Sequence, residues 1–400
     1  MKRVAIVGGG ASGLMCAIIC ARASLDVTLF EQNNKCAKKI LVSGNGRCNI
    51  TNTNLTSEKF FSSNPEFAIG LIKRFGFREF EKFCSSIGLV LDVKEDGRVY
   101  PQSNEAKSVA SLLLHTAEAL DVAIKTDQRI EDIKALFEEY DAVVIATGSE
   151  AASHLGGNGS GYDFAKEFAH TIIPPYPSLV QLHLTSQLAQ KMSGAKIDAE
   201  VTLFINRQKE LSSLGDILFT NYGISGFAIL DISQRASQAL QYSEPVLISL
   251  NLLPHYNPQK LASHISSLCK NAPALSVLDM LIGLLPSKIA KHFLEFIELD
   301  TDLKLENLHT KQIKKIAATL LAWKFEVSDT HGFRHAEVSG GGVDTTEVDP
   351  HSCESLKQKD LYFCGEVLDV VGARGGYNFA FAWASGHQVA QSIIAKALQA

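Results

Sequence analysis

The chain holds eight cysteines, at positions 16, 20, 36, 48, 84, 269, 353 and 364, yet no Cys-x-x-Cys. That absence excludes a thioredoxin-like dithiol and a zinc knuckle, and leaves reduced, mostly buried thiols as the default. Excess positive charge is also missing. Lys and Arg number 38 against 43 Asp and Glu, giving a net charge of −5 and a pI near 6.2. Without a basic field little holds a polyanion, which disfavours a nucleic-acid partner. The uncharged run Val4 to Ala21 follows Lys2 and Arg3 and so imitates a signal peptide or a membrane span. Its Gly8-Gly9-Gly10 interruption argues against both, so a cytoplasmic protein with no membrane attachment is expected. Metal ligands are short as well. His331 and His335 are four apart, but Gly332 and strand-like flanks oppose a shared helical face and no third ligand is evident, so no metal is expected.

What is present begins with size. Four hundred residues, 46% hydrophobic and 20% charged, fit a soluble protein of two domains with a large core. Val4-Ala5-Ile6-Val7 suits a buried parallel strand, and Gly8-x-Gly10-x-x-Gly13 follows at once, running into an apolar helix. Gly8 permits the tight turn, Gly10 a close approach to a pyrophosphate, and Gly13 close packing of helix on strand. Ala11 and Ser12 lie in the turn as further cofactor-binding candidates, and the helix read from Leu14 presents an N-terminus that favours phosphate. A second strand, Val27 to Phe30, ends in Glu31 and Gln32. An acid about 20 residues beyond the glycines is placed to accept from ribose hydroxyls. Together these features predict a dinucleotide site.

Four later stretches extend that site. Lys38-Lys39-Ile40 leads into Ser43-Gly44-Asn45-Gly46-Arg47-Cys48-Asn49, which is read as a loop with close-approach glycines, cations for phosphate and hydrogen-bonding side chains. Asp141 to Gly148 reads as a buried strand ending in Ala146-Thr147-Gly148, small enough for a dinucleotide to pass the sheet's carboxyl edge. Ile130 is placed on a short strand of the same sheet. Gly365-Glu366 ends another strand, and Gly375-Gly376-Tyr377-Asn378 opens a long apolar helix over about 379–398. Gly156 to Gly161 has no strand leading into it and is read as a plain loop. Between the landmarks, 65–90 reads as helical, and Ser103 to Leu120 reads as a helix with Ser103 as N-cap. Residues 173–177 form a stiff connector. Strands are expected at 201–205, 216–220 and 246–250, and helices over 257–322.

These motifs resemble the two-dinucleotide-binding-domain flavoproteins, whose FAD domain is of glutathione-reductase type. More narrowly, Ser43 to Asn49, Asp96-Gly97-Arg98-Val99-Tyr100-Pro101, Leu218 to Gly226, Cys364 to Asp369 and Gly375 to Asn378 resemble the bacterial BaiN-like family of NAD(P)/FAD-dependent oxidoreductases, also labelled aminoacetone oxidase-like. Glu366 stands where the broader group usually has Asp. Val370-Val371 and Cys353 to Leu356 also depart from the narrower pattern. The resemblance implies an α/β fold with a sequence-split Rossmann-like FAD domain, 1–187 and 329–400, and an inserted β-barrel-plus-helices domain, 188–328. It implies FAD as cofactor, NADH or NADPH as reductant, and a small-molecule substrate. The alternatives are a flavin-dependent tRNA-modifying protein and a non-catalytic FAD-binding sensor. No second nucleotide fingerprint is visible. Arg47, Cys48, Tyr222, His331 and Arg374 are the catalytic candidates: His331 as a proton donor near the flavin, and the others each with a structural alternative, surface salt bridges for the arginines, flavin-side packing for Cys48 and a hairpin cap for Tyr222.

Overall fold

The computed structural model describes residues 2–399. They form two compact units: residues up to Tyr176 together with those from Glu337 onward, and Pro177–Ala336.

The first unit is built on a five-stranded parallel sheet. Its strands run in the order Leu361–Phe363, Ala142–Ile145, Arg3–Val7, Asp26–Phe30, Ala123–Lys125. Val4, Ala5, Ile6, Val143, Val144 and Ile145 are buried, as strands covered on both faces require. Strand order reverses at Arg3–Val7. The chain leaves that strand toward Asp26–Phe30 on one side, and Ala142–Ile145 docks on the other. Ligands bind at such a switch point, beyond the carboxyl ends of the strands. Helix Ala11–Arg22 lies against the last helix, Tyr377–Gln399, at a very close approach. A Cβ on Gly386 would sit 2.4 Å from the Ser12 carbonyl oxygen. Phe80 and Phe379 stack on Trp383 of that helix, and Trp383 Nε1 donates to the Ile50 carbonyl at 2.9 Å.

Several elements differ from expectation. The 65–90 segment is two helices, Pro65–Arg74 and Phe77–Ser86, because the Glu79 carboxylate accepts from Gly76 N and starts a second helix there. Helix Ala106–Ala119 is preceded by Glu105, with no side-chain cap; the Ser103 hydroxyl donates to Ser108 Oγ instead. The proline-rich connector is itself a strand, Ile172–Ser178, paired with Val338–Val343. Ile130 lies outside any strand and packs at the core's margin.

The second unit is a closed six-stranded barrel. Around it run Leu182–Leu184, Gly223–Ser225, Gln208–Phe219, Lys196–Ile205, Val246–Asn251 and Trp323–Thr330, which returns to the first. All pairs are antiparallel. Alternating burial along Lys196–Ile205 turns Ala199, Val201, Leu203 and Ile205 inward. Helix Phe227–Gln241 packs on the barrel through Ile229, Ile232 and Ala236. Helices Pro258–Asn271, Val277–Ile282, Ser287–Phe296 and Thr310–Leu321 complete a core around Phe293 and Trp323. The fold class is therefore the expected one: a Rossmann-like parallel sheet, with a separate barrel bearing helices. Among the described residues no helix is long and apolar enough to cross a membrane.

Candidate functional site

The first glycine turn is shaped by what each missing side chain avoids. Gly8 has φ +115, and a Cβ there would lie 2.3 Å from the Ala146 carbonyl oxygen. A Cβ on Gly13 would fall 2.0 Å from the Gly8 carbonyl oxygen. Those two glycines serve strand and helix packing. Gly10 is different, because a Cβ there would meet no atom within 4 Å, so its face is open. Gly10 precedes helix Ala11–Arg22 without capping it through a side chain, and no acid stands in the first turn. That leaves an electropositive helix end beside open space.

Glu31 borders this turn and is 8% exposed. Its carboxylate accepts from Gly9 N at 3.0 Å and from Asn33 N and Nδ2 at 2.8 and 2.7 Å. A carboxylate has about four acceptor positions, so room for a ribose hydroxyl remains. Gln32 Nε2 donates to the Gly156 carbonyl, and Asn158 Nδ2 donates to Gln32 Oε1. The glycine-rich loop read as a plain loop is thus tied to Gln32, next to Glu31. A Cβ on Gly156 would collide with the Asn33 side chain, which explains its glycine. Cys36 lies against Gly9. Burial first, and the Glu31 charge second, push its thiol up to about 12.

The segment 38–49 is more helical than a loop. A kinked helix, Lys38–Gly46, runs through it, with Ser43, Gly44 and Asn45 outside helical geometry. Gly44 and Asn45 both have φ +56. The Ser43 hydroxyl donates to the Ile40 carbonyl. Lys39 reaches across the unit to Glu366, Nζ to Oε2 2.8 Å, while Glu366 Oε1 accepts from Ser339 N at 2.8 Å. Two residues that sequence reasoning assigned separately to the ligand therefore form one ion pair. Asn49, in the amide orientation its neighbours require, accepts from Gly376 N at 3.2 Å and donates to the Val99 and Thr51 carbonyls. A Cβ on Gly376 would lie 2.3 Å from the Thr51 carbonyl oxygen, so the second Gly-Gly turn packs on this segment. Asn378 locks its own turn, accepting from Gly372 N and donating to the Gly372 carbonyl. Gly365 N donates to Ser385 Oγ, and Gly365 sits against Ser12. At the neighbouring strand end, Gly148 faces open space, and the buried Thr147 Oγ1 has no hydrogen-bond partner.

The catalytic candidates divide between the units. Arg47 is exposed and lies over the Tyr100 ring at 5.6 Å. Cys48 is fully buried, and burial pushes its thiol up to about 11, which opposes a reactive thiolate. Arg374 is half-buried, and its charge acts on Glu337. Tyr222 and His331 belong to the second unit, where the structure brings them into contact. Sequence reasoning missed Asn33, Ser339 and Asn158. The Asn-Asn after Glu31-Gln32 was the only signal pointing to any of them. Among the described residues no group of three His, Cys, Asp or Glu side chains is arranged to hold a metal.

Comparison with known proteins settles the family. The family model described as the HI0933-like protein Rossmann domain matches residues 2–392. The chain belongs to the HI0933-like family. Membership bears out the resemblance drawn from the motifs, and with it the reading as a flavin-dependent oxidoreductase with a Rossmann nucleotide-binding unit. A 3-dehydro-bile acid Δ4,6-reductase of Clostridium scindens is 34% identical, over 97% of this HI0933-like chain and 98% of its own. A ribosomal RNA dihydrouridine synthase of Haemophilus influenzae is 31% identical, over 97% of both. Among solved structures, a 3-ketosteroid Δ1-dehydrogenase of Sterolibacterium denitrificans overlays with a TM-score of 0.48 at 11% identity, over 99% of this chain and 100% of that one.

Proposed function

We propose that this HI0933-like chain binds FAD in its first unit and reduces a carbon–carbon double bond conjugated to a carbonyl in a small organic substrate. One observation carries the reading: two full-length relatives carry names that describe a single chemistry. A 3-dehydro-Δ4,6 bile acid places its double bonds next to a ketone. The uracil double bond saturated in dihydrouridine is likewise conjugated to a carbonyl.

The residues fit the cofactor. Gly10 and Gly148 leave open main chain on either side of the switch point, and Thr147 Oγ1 is a buried hydroxyl with no protein partner. We assign Gly8 to Gly13 to the pyrophosphate and Glu31 to the adenosine ribose. Ser43 to Asn49 and Gly375 to Tyr377 are assigned to the ribityl chain and ring. Lys39 holds Glu366 in place for the same region. Bound FAD supplies hydride chemistry, while the chain supplies position and charge. NADH or NADPH as electron source follows from the resemblance.

Substrate size separates this reading from an RNA-modifying one, which the Haemophilus influenzae relative's name favours. An RNA-binding barrel unit calls for basic excess, but 177–336 holds 15 Lys and Arg against 14 Asp and Glu. The test is a spectrum followed by two half-reactions. The purified protein is expected to be yellow, to bleach anaerobically with NADH or NADPH, and to regain colour with a 4,6-dien-3-one steroid. Colourless protein that takes up no FAD overturns the proposal. Reoxidation by ribosomal RNA alone would move the substrate to the second reading, and flavin that no donor bleaches would make the chain a sensor.

A further inference from the structure

His183 sits where three strands of the barrel meet. In register it lies opposite Gly223 on one side and Asp329 on the other. The turns beside those strands bring Tyr222, His331 and His335 to it. His183 Nε2 and His331 Nδ1 are 2.8 Å apart, so one donates to the other. The Tyr222 ring lies flat on His331, with centroids 3.9 Å apart and planes at 14°. His335 flanks His331 at 4.1 Å. His331 N donates to the Gln181 carbonyl at 2.9 Å, which anchors the ring from behind.

Three features separate this cluster from ordinary packing. His183, Tyr222 and His331 are half-buried, not sealed. The bridge uses one nitrogen of each imidazole, and among the described residues no protein group hydrogen-bonds His331 Nε2, His183 Nδ1 or the Tyr222 hydroxyl. Gln181, whose carbonyl accepts from His331 N, has a buried side-chain oxygen with no hydrogen-bond partner.

The bridge also dictates what the cluster offers. A neutral pair holds two ring protons, one of them in the bridge. If His183 donates, the other is on His331 Nε2; if His331 donates, it is on His183 Nδ1. The pair thus always presents one donor and one acceptor outward. The charged and titratable groups around His331 are His183, His335 and Tyr222, with Asp329 opposite His183 and Arg334 in the following turn.

We propose that this cluster receives the oxygen end of a flat conjugated carbonyl ligand, with His331 Nε2 donating to the carbonyl oxygen. His183 is the positioning residue that fixes the tautomer, and Tyr222 holds the plane of the ring. The inference rests on the conjugate-reduction reading, which makes the ligand a conjugated carbonyl whose oxygen accepts a hydrogen bond.

The test uses 4-nitrophenol, a flat phenol whose phenolate absorbs at longer wavelength, titrated calorimetrically into the full chain at neutral pH. Wild type is expected to bind it and to shift its spectrum toward the phenolate. His331→Phe keeps a flat ring on Tyr222 but loses the nitrogen, and should raise Kd at least tenfold. His331→Asn, which restores an N–H donor, should recover part of the affinity. His183→Phe should move the His331 tautomer signature in long-range ¹H–¹⁵N spectra, which a merely structural role would leave unmoved. Equal affinity in wild type and a folded His331→Phe overturns the proposal, as does no binding to wild type. Flavin content is read in the same samples. His331-dependent binding in a protein that takes up no FAD would sink the flavin reading alone, and a flavin-loaded protein indifferent to His331→Phe would sink this one alone.

Discussion

In the first unit the proposed cofactor site is lined by main chain: Gly8, Gly13 and Gly376 stand where a side chain would strike backbone, while Gly10 and Gly148 leave open space. In the second, the chemically distinctive cluster consists of side chains, His183, Tyr222 and His331, brought together by strand pairing. The two modes respond differently to change. A main-chain cradle tolerates almost no added atoms at its packed positions, yet its polar groups cannot be mutated away. A side-chain cluster can lose one ring while the barrel stands.

The harshest way to break the comparison is at Gly13. Gly13→Val would press its Cβ toward the Gly8 carbonyl oxygen, 2.0 Å away before relaxation, where only backbone can yield. Overpacking of this kind costs about 3 kcal/mol, and the first unit should unfold several degrees earlier in a thermal melt. Gly10→Val is the matched control. Its Cβ has open space, so the melt without cofactor should move by less than ~1 kcal/mol while FAD content falls to near zero. Unchanged FAD content in a folded Gly10→Val protein would refute the placement of the pyrophosphate.

A milder contrast lies in acid sensitivity. Burial alone would raise the Glu347 carboxyl. Lys357, with Nζ 2.6 Å from Oε1, and the N–H and hydroxyl of Thr171 outweigh burial and hold it at about 2. An unfolded carboxyl titrates near ~4.3. The folded value is depressed, so the stabilisation is complete above the unfolded value and is lost as pH falls from about 4.3 to about 2. The full shift corresponds to about 3 kcal/mol, which solvent screening at this partly exposed carboxylate reduces to about 2 kcal/mol. Lys357→Met should flatten the first unit's loss of stability across that window in acid titrations followed by circular dichroism. A slope identical to wild type would show that Lys357 does not set the Glu347 carboxyl.

Legibility follows the same division. The parallel sheet and its ligand-facing carboxyl edge were readable because glycine spacing records main-chain geometry locally, over residues 8–13. The Lys39–Glu366 pair was readable only as two separate ligand residues, since 327 positions separate them and no local pattern encodes their contact. Ser103 misled because it sits just ahead of a helix, yet its hydroxyl found Ser108. Tyr222 and His331 drew notice as residues, but His183 gave no signal at all. Its role exists only once Leu182–Leu184 pairs with both Gly223–Ser225 and Trp323–Thr330. Barrel closure is a long-range event, and it leaves no short motif behind.

The smallest effect is expected at Cys48, and it sharpens the contrast from the other side. This thiol lies in the middle of the 43–49 segment, beside Arg47, where a sequence motif invites a chemical role. The structure gives it φ +58, full burial, and a thiol pushed up to about 11 by burial. A thiol so held carries almost no thiolate at pH 8 and meets no solvent. Iodoacetamide should label it only as fast as the unit opens, while half-buried Cys269 labels first. Cys48→Ala removes one buried sulfur and should cost about 1 kcal/mol, with flavin reduction and reoxidation unchanged. Loss of reoxidation in a folded, flavin-loaded Cys48→Ala protein would mean that the first unit also works through a side chain, and the division between the two units would fail there.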